Sequence, residues 1–544
     1  MIMTGAPLPD ALYYLRNFQR AIQWVVERNH DLLSRPERQF ADQLNALPTP
    51  AQALLARLSM RRGVLFRRSK IRYAEIEPLE SALDALAEIG WLDTRPALTL
   101  QEVFRLSTRA ELAQRFGDRL SRLTKQAAYD ALIESHAGER LFQDWLSTDE
   151  PVHRVSIAPM VLQFRLLHFG NFYQEWHEYT LAHLQIFKYE SVPLDVASRP
   201  FETREEIELF YALYRCYEAM SEAAELPELI ALLPKAPAGQ GWLRRRWDRL
   251  RYHLGQEAER QEGAETALEM YRDNTQLDAR VRQVRLLECL GRDEEALQTA
   301  HTLLQESFSE LIVQRVSRIV TRLQRRQGSK VTKRVNQLAW ASSELGLGYE
   351  SDRRVEVLVQ EHLSRDDAPV YYVENSLLCS LFGLLCWDAI FQPVRGAFFH
   401  PFQSAPADMD CPQFVARRRE AFDACLNRLE TGEHVATILR TFAQKYGTSA
   451  PFVHWLALDE PTLQLALQCI PVEHLKLYFA RMLDDLSENT SGFPDLVQFF
   501  LETRTYRFIE VKGPGDRVQD NQRRWLQFCA RHQLPMEVCQ VRWA

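Results

Sequence analysis

With 544 residues the chain is too long for one hydrophobic core, so about three or four domains are expected. Its 46% hydrophobic and 26% charged residues exclude a disordered or membrane-embedded class, and a net charge of -7 does not by itself announce a nucleic-acid binder. Nine cysteines without a C-x-x-C pair argue against zinc fingers or a disulfide framework and fit reduced thiols.

The opening residues Met1 to Ala6 lack a basic region followed by an apolar core, so no secretory signal is expected and the chain reads as cytoplasmic and nucleoid-associated. Helical periodicity follows at once, with Leu12, Leu15, Phe18 and Ile22 at three- and four-residue steps, and Pro48 and Pro50 punctuate the first helical pair. Then comes a basic segment: Arg57, Arg61, Arg62, Arg67, Arg68, Lys70 and Arg72, interleaved with Leu65, Phe66 and Tyr73 and free of acids. Phosphate contacts supply most non-specific DNA affinity, so Arg61, Arg62, Arg67, Arg68, Lys70 and Arg72 are candidate DNA contacts, against the plainer alternative of a solvated face. Residues 1–75 thus read as an N-terminal helical basic domain.

Glu77 to Trp91 reads as an amphipathic helix, and further helices follow over Thr99 to Phe116 and from about Lys125 to Ser135. Leu98 to Val103 and Leu106 to Leu112 resemble a SAP-like helix-extended-helix module, a type that binds duplex DNA. Residues 76–136 are assigned to it, although the same pattern fits any small helical domain. From 137 to 340 helix follows helix, with breaks at Pro193, Pro200, Pro227, Pro234 to Pro237 and Gly263. Arg285 to Leu297, with Gly291 at the turn and Ala296 in the second helix, resembles one tetratricopeptide-type repeat. Residues 137–368 are therefore expected to form a helical-repeat (TPR-like) domain.

Within it, Val313 to Arg326 carries Arg315, Arg318, Arg322 and Arg325 on one helix face, opposite Ile312, Val316, Ile319, Val320 and Leu323. Arg326, Lys330, Lys333 and Arg334 continue the charge, and no acid lies between Val313 and Val335. Like charges stacked in this way destabilise a helix, so the stripe predicts an anionic partner, the DNA backbone, against the plainer alternative of a solvated face. A smaller cluster, Arg244 to Arg246 between Trp242 and Trp247, has no single reading.

Residues 369–544 carry the chemistry, with an all-helical insertion over 413–490 that opens with Arg417 to Arg419. Glu374 heads a helix expected over Asn375 to Ala389, and the apolar run Leu377 to Phe391 is too short to span a membrane, so it reads as buried. Asp388 in that run is expected to form a structural ion pair, and His400 to pack or hydrogen-bond. Tyr506 to Lys512 alternates as a strand, placing Tyr506, Phe508, Glu510 and Lys512 on one face. Leu496 to Leu501 forms its partner, with Glu502 to Arg504 as the turn, and that hairpin brings Asp495 beside Glu510. Two carboxylates and a lysine then converge. Two anions held together call for a cation between them, and hard oxygen ligands suit Mg²⁺ or Mn²⁺. A lysine beside such a metal orients a water or offsets charge on a phosphate. The plain alternative is a surface hairpin with a strand-end ion pair. After Gly513-Pro514-Gly515, Asp516 is expected to cap a helix running to about His532, and Met536 to Trp543 to close the sheet.

Pro494-Asp495, a spacer of fourteen residues and Glu510-Val511-Lys512 resemble the PD-(D/E)-x-K nuclease pattern. The continuation Gly513 to Arg517, with Asn521-Gln522 and Trp525-Leu526, resembles its VRR-NUC branch and, within that, the Fanconi-associated nuclease family. Val373 to Leu377, Leu385 to Phe391 and Ala397 to Gln403 resemble the block that precedes the motif there. The resemblance implies a multidomain chain, mainly α over its N-terminal two-thirds, with a C-terminal α/β nuclease domain. It implies a structure-specific, metal-dependent DNA nuclease, cutting 5′ flaps and acting as a 5′-to-3′ exonuclease in DNA interstrand crosslink repair. Glu374, Asp495, Glu510 and the Val511 carbonyl would hold one or two Mg²⁺ or Mn²⁺ ions, and Lys512 would position or activate the attacking water. Gln403 and Gln522 match further active-site positions, and Arg517 is placed to meet phosphate. Stand-alone VRR-NUC domains pair through the surface that the 413–490 insertion would cover, which implies a monomer on branched or flapped duplex DNA. Some relatives carry an N-terminal ubiquitin-binding zinc finger, but no Cys or His pattern for one is present here, as in a bacterial-type member. Two alternatives stay open: a Holliday-junction resolvase-like endonuclease, and a non-catalytic DNA-binding scaffold.

Overall fold

A computed structural model describes residues 11–176, 178, 188–239, 241–261, 263–306, 309–328, 339–350 and 352–544. Met1 to Ala6 and the basic residues Lys330, Lys333 and Arg334 lie outside them. No helix among the described residues is long and apolar enough to cross a membrane. The chain divides into two compact units, Met1–Ile186 with Phe201–Ile207, and Phe187–Pro200 with Glu208–Ala544.

In the first unit, helices Tyr13–Asn29, Arg35–Ala46 and Thr49–Ser59 bury the expected apolar spacing, with Leu15, Phe18 and Ile22 at 3% exposure or less. Three short strands follow, β1 (Leu65–Arg67), β2 (Leu92–Asp93) and, much later, β5 (Val152–Val155), in the antiparallel order β1-β5-β2. Between β2 and β5 the pair β3 (Ala97–Leu98) and β4 (Arg140–Leu141) brackets helices Leu100–Leu106, Arg109–Phe116 and Lys125–Leu132. Thr99 with Glu102, and Thr108 with Glu111, start the first two of these as reciprocal capping boxes. The boundaries expected at 75 and 136 therefore fall inside one substructure, because β5 returns to pair with β1. Strands of two to four residues show no alternation, so this pairing leaves no periodic trace in the sequence.

In the second unit, helices Trp242–Arg260, Ala264–Tyr271, Leu277–Cys289, Asp293–Glu306 and Glu310–Arg326 follow one another, as the repeat-like reading expects. Gly291, at φ 73°, turns the chain between the third and fourth. Val284, Leu287, Ala296, Ala300, Ile312, Val316 and Leu323 form the shared core of the last three.

The nuclease region is built on a five-stranded sheet of β6 (Ala341–Leu347), β7 (Val370–Tyr372), β8 (Leu496–Phe500), β9 (Thr505–Lys512) and β10 (Met536–Trp543), ordered β6-β10-β9-β8-β7. Pairing is antiparallel from β7 through β9 and parallel from β9 through β6. Two expectations need correction. The sheet starts at residue 341, well before Pro369-Val370, and β10 is an inner strand with β6 outside it. The polar, half-exposed sequence of β6, Ala-Ser-Ser-Glu-Leu-Gly-Leu, has too weak an apolar alternation to announce a strand.

The period of two in β9 decides how the sheet packs. Tyr506 and Phe508 join the large core under the helical insertion, while Ile509 and Val511 face a second core with Val359, Val370 and Cys539. The apolar run expected as one buried helix is buried as two, Leu377–Leu385 and Trp387–Ile390. Insertion helices Arg419–Glu430, His434–Lys445, Glu460–Cys469 and Val472–Asp484 pack on it, and Asp388 sits at its surface 3.8 Å from Arg428. Where the insertion begins, fully buried Arg418 forks onto both oxygens of Asp408, each at 2.9 Å.

A Cβ on Gly383 would lie 2.9 Å from Phe452 Cβ and 3.0 Å from Val453 Cγ2. Gly383→Ala is therefore expected to overpack this contact and cost about 1–3 kcal/mol, read as a lower urea midpoint; an unchanged midpoint would show that the two segments can separate freely.

Candidate active site

The β8–β9 hairpin registers Leu496 against Ile509, which sets Asp495 across from Glu510 at the end of the ladder. The turn between the strands closes with Arg504 in the left-handed region, at φ 49°. Asp495 Oδ2 accepts a hydrogen bond from the Val511 amide at 2.8 Å, so Val511, between the two functional side chains of β9, orients the opposing carboxylate. Lys512 Nζ lies 2.7 Å from Glu510 Oε1, and Gln522 Nε2 donates to the same oxygen at 2.6 Å. Asp495, Glu510 and Lys512 are buried, at 8%, 2% and 8% exposure.

The end of β7 completes the group. The Val373 amide donates to the Asp495 carbonyl at 2.8 Å, and Asn375, at φ 51°, accepts from the Phe493 amide through Oδ1 at 3.0 Å. Glu374 lies between these two ties, and the Tyr372 hydroxyl donates to its carboxylate. On the other side Gly492, at φ 81°, lets the loop leading to Asp495 approach the helix Asp520–Arg531. A Cβ there would lie 2.9 Å from the Asn521 carbonyl carbon.

Burial pushes the Asp495 carboxyl up to about 6, with Glu356 and Glu374 adding to the effect against the Val511 amide and Lys512. Glu510 is pushed further, to about 8, by burial first and by Asp495 next, against Lys512. Glu356 is the acid that motif and period do not reveal. It stands in the first turn of the helix Val355–Leu363, one turn before Gln360, whose Nε2 donates to the Val370 carbonyl at 3.0 Å. That face of the helix lies along β7, so the only signal for Glu356 is tertiary.

Among the described residues no group of three His, Cys, Asp or Glu side chains is close enough to hold a metal ion. Glu374 is turned to Tyr372 and Glu510 to Lys512 and Gln522. The donor chemistry nonetheless fits a hard divalent cation. Buried oxygen donors repel one another, Lys512 offsets only part of that repulsion, and the carboxyls respond by holding their protons.

Several expected site residues are placed otherwise. Gln403 is committed to its own loop: Oε1 accepts from the Phe399 amide at 2.5 Å, and Nε2 donates to the Ala397 and Ala405 carbonyls. Among the described residues it meets no carboxylate. Asp516 does not cap the last helix. Its Oδ2 closes the glycine turn by accepting from the Gly513 amide, and Gln519 with Gln522 supplies the cap. The caps differ because the helix starts at Asp520, leaving Asp516 to the turn. Arg517 lies exposed in that loop.

The basic stripes also change character. Acids from other elements meet the stripe of helix Glu310–Arg326: Arg315 pairs with Asp278 at 2.8 Å, Arg318 with Asp520 at 3.0 Å and Arg322 with Glu288 at 2.7 Å, while Arg325 is exposed. In the N-terminal segment Arg67 is held by Glu111 and Glu150, and Arg68 by Glu80. Arg61, Arg62, Lys70 and Arg72 remain exposed.

Comparison with known proteins agrees with this layout. The chain matches the VRR-NUC domain over residues 429–543, the FAN1 HTH domain over 12–93 and the Fanconi anemia-associated nuclease SAP domain over 97–145. It is 41% identical to the Fanconi-associated nuclease 1 homolog of Pseudomonas aeruginosa over 544 residues, covering 98% of this chain and 97% of that protein. The Fanconi-associated nuclease 1 of Danio rerio is 33% identical over 174 residues, 31% of this chain and 18% of that protein. Among solved structures, paFAN1 bound to 2nt 5′ flap DNA with gap superposes with a TM-score of 0.91 at 40% identity, covering 99% of this chain and 100% of that one. The same protein bound to 1nt 5′ flap DNA with gap gives a TM-score of 0.90.

Both buried carboxyls hold their protons more tightly folded than unfolded. Their protonated forms favour the folded state fully below about pH 4, and that stability is lost as pH rises through about 6 and about 8. Glu510→Gln is therefore expected to raise the melting temperature of the metal-free protein above about pH 8, with the gain vanishing near pH 4. A gain independent of pH in EDTA would contradict burial as its cause.

Proposed function

The chain belongs to the Fanconi-associated nuclease family, and from that premise we propose that Glu374, Asp495, Glu510 and Lys512 form its phosphodiesterase site. The observation that carries the proposal is the meeting of Asp495, Glu510 and Lys512, all nearly buried, at the open end of one hairpin. Glu374, Asp495, Glu510 and the Val511 carbonyl would hold one or two divalent ions, Mg²⁺ or Mn²⁺. Bound there, a metal supplies Lewis-acid polarisation of the scissile phosphate and a water of lowered pKa.

The chain's own groups do the rest. Lys512, held beside Glu510, orients the attacking water and offsets charge that develops on the phosphate. The Val511 amide and the Gln522 amide group orient Asp495 and Glu510. Tyr372 holds Glu374 through its hydroxyl.

The substrate in this proposal is branched or flapped duplex DNA, cut at 5′ flaps and trimmed 5′-to-3′ in interstrand crosslink repair. Support comes from solved relatives crystallised with 5′ flap DNA. Exposed Arg61, Arg62, Lys70, Arg72, Arg325 and Arg517 would grip the backbone, and the SAP-matching segment would add a duplex contact. A monomeric catalytic unit is favoured over a paired, resolvase-like one, because the helices of 413–490 pack over the Tyr506 and Phe508 face of the sheet.

The test is cleavage of 5′- and 3′-labelled flaps, a four-way junction and plain duplex, with Mg²⁺, Mn²⁺ or EDTA. Asp495→Ala and Lys512→Ala are expected to abolish metal-dependent flap cutting while leaving flap binding intact. Paired symmetric nicks on the junction with the flap uncut would favour the resolvase reading instead.

The two kinds of basic residue separate in binding assays. Arg62→Ala and Arg72→Ala are each expected to lower the slope of log affinity against log salt by about one. Arg67→Ala, which takes the cation from between Glu111 and Glu150, is expected to lower the melting temperature instead. Equal loss of salt slope in all three would make Arg67 a phosphate contact despite its ion pairs.

A further inference from the structure

Helix Glu310–Arg326 meets the nuclease fold along one stripe. Glu310, Gln314 and Arg318 stand four residues apart and so share a face. Glu310 pairs with Arg481 at 2.7 Å. Gln314 donates through Nε2 to Asp520 at 3.3 Å and accepts through Oε1 from Arg524 at 3.4 Å. Arg318 donates through one nitrogen to both oxygens of Asp520, each at 3.0 Å. On the opposite face Ile312, Val316, Ile319 and Leu323 are sealed in the core of the helical repeat. The helix is therefore fixed on both sides and can transmit position between them.

The groups it holds lie next to the chemistry. Asp520 opens the helix Asp520–Arg531, Arg524 lies one turn on, and between them Gln522 donates to Glu510 at 2.6 Å. The same turn presses against Gly492, in the loop that leads to Asp495, so little slack exists on that side either. A displacement of this turn would loosen the grip on Glu510 and disturb the approach to Asp495 together.

We propose that Arg318 is a positioning residue for cleavage: by fixing Asp520 it sets the turn from which Gln522 holds Glu510, and so makes assembly of the catalytic carboxylates depend on docking of the helical repeat. The proposal rests on Glu510 belonging to the catalytic site. Arg318 and Asp520 are both about half exposed, at 51% and 43% for their side chains, and such ion pairs add little to fold stability. Removing the pair should therefore leave the melting temperature in place while altering the rate.

The experiment compares Arg318→Asp, Asp520→Arg and the charge-swapped double variant in single-turnover cleavage of a 5′ flap at saturating DNA. Each single variant is expected to lose on the order of tenfold in rate, short of the roughly 10²-fold that a 1 Å misplacement can cause. The swapped pair is expected to recover most of that loss. In a Gln522→Ala background, Arg318→Asp should cost much less, because the link to Glu510 is already gone and only the packing against Gly492 remains. If Arg318 is instead a phosphate contact, Arg318→Asp weakens DNA binding and lowers the salt slope by about one, Asp520→Arg tightens binding, and the swap restores nothing. That result overturns the proposal. Glu510→Gln is run in parallel: full cleavage by it would defeat the site reading itself, whereas an inactive Glu510→Gln with no rescue by the swap defeats only the role of Arg318.

Discussion

Everything in the nuclease region serves the burial of two carboxylates side by side. An unpaired buried charge is costly, and two of one sign are worse. Asp495 and Glu510 are tolerated because each is spoken for: the Val511 amide holds the first, and Lys512 with Gln522 holds the second. Those partners work only at the register in which Leu496 faces Ile509, since a one-residue slip would send Glu510 and Lys512 to the other face. The register in turn is held by two separate apolar cores, one against Tyr506 and Phe508 and the other against Ile509 and Val511. The helical insertion and the helix Val355–Leu363 are thus conditions of the chemistry as much as parts of the architecture.

How much of this was legible follows from how local each signal is. The β9 alternation is a property of eight consecutive residues, so it predicts the face shared by Glu510 and Lys512 and the return of Asp495 across the hairpin. Helix periodicity is similarly local, and the spacing of Leu15, Phe18 and Ile22 reads true. Signals that depend on distant pairing do not survive in the sequence. The short β5 closes a sheet begun more than eighty residues earlier, as the pairing of Phe66 with His153 shows, and β6 is a polar strand recognisable only by its partner β10. Glu356 looks like any acid in a first helical turn until the helix is seen to lie along β7. Gln403 illustrates the reverse case, since a matching motif position says nothing of which neighbours its amide will choose, and the loop backbone takes all of it.

Charge is the property that sequence misjudges most. A helix with Arg315, Arg318, Arg322 and Arg325 and no acid from Val313 onward looks as if it must await an anion. The folded chain supplies several: Asp278 and Glu288 arrive from one other helix, Leu277–Cys289, and Asp520 from the helix Asp520–Arg531. Like-charge repulsion on a helix face calls for anions, and the fold itself supplies them. Arg67 and Arg68 meet Glu150 and Glu80 in the same way, whereas Arg62 and Arg72 stay exposed. Sorting arginines by partner, which needs the fold, separates residues available to DNA from residues that hold the protein together.

That distinction bears on how a site at one end of a chain can sense the rest of it. Exposed ion pairs are weak, so the contact of Arg318 with Asp520 does not determine whether the nuclease region folds. Its two apolar cores do that. What weak, directional contacts can determine is where an already folded turn rests, and the turn in question carries the side chain that holds Glu510. A hydrogen bond of 2.6 Å is lost with a shift of about an ångström, far less than is needed to disturb a packed core. The polar stripe on the last repeat helix therefore has leverage over geometry out of proportion to its contribution to stability, which is the condition for coupling docking of the helical region to catalysis on the sheet.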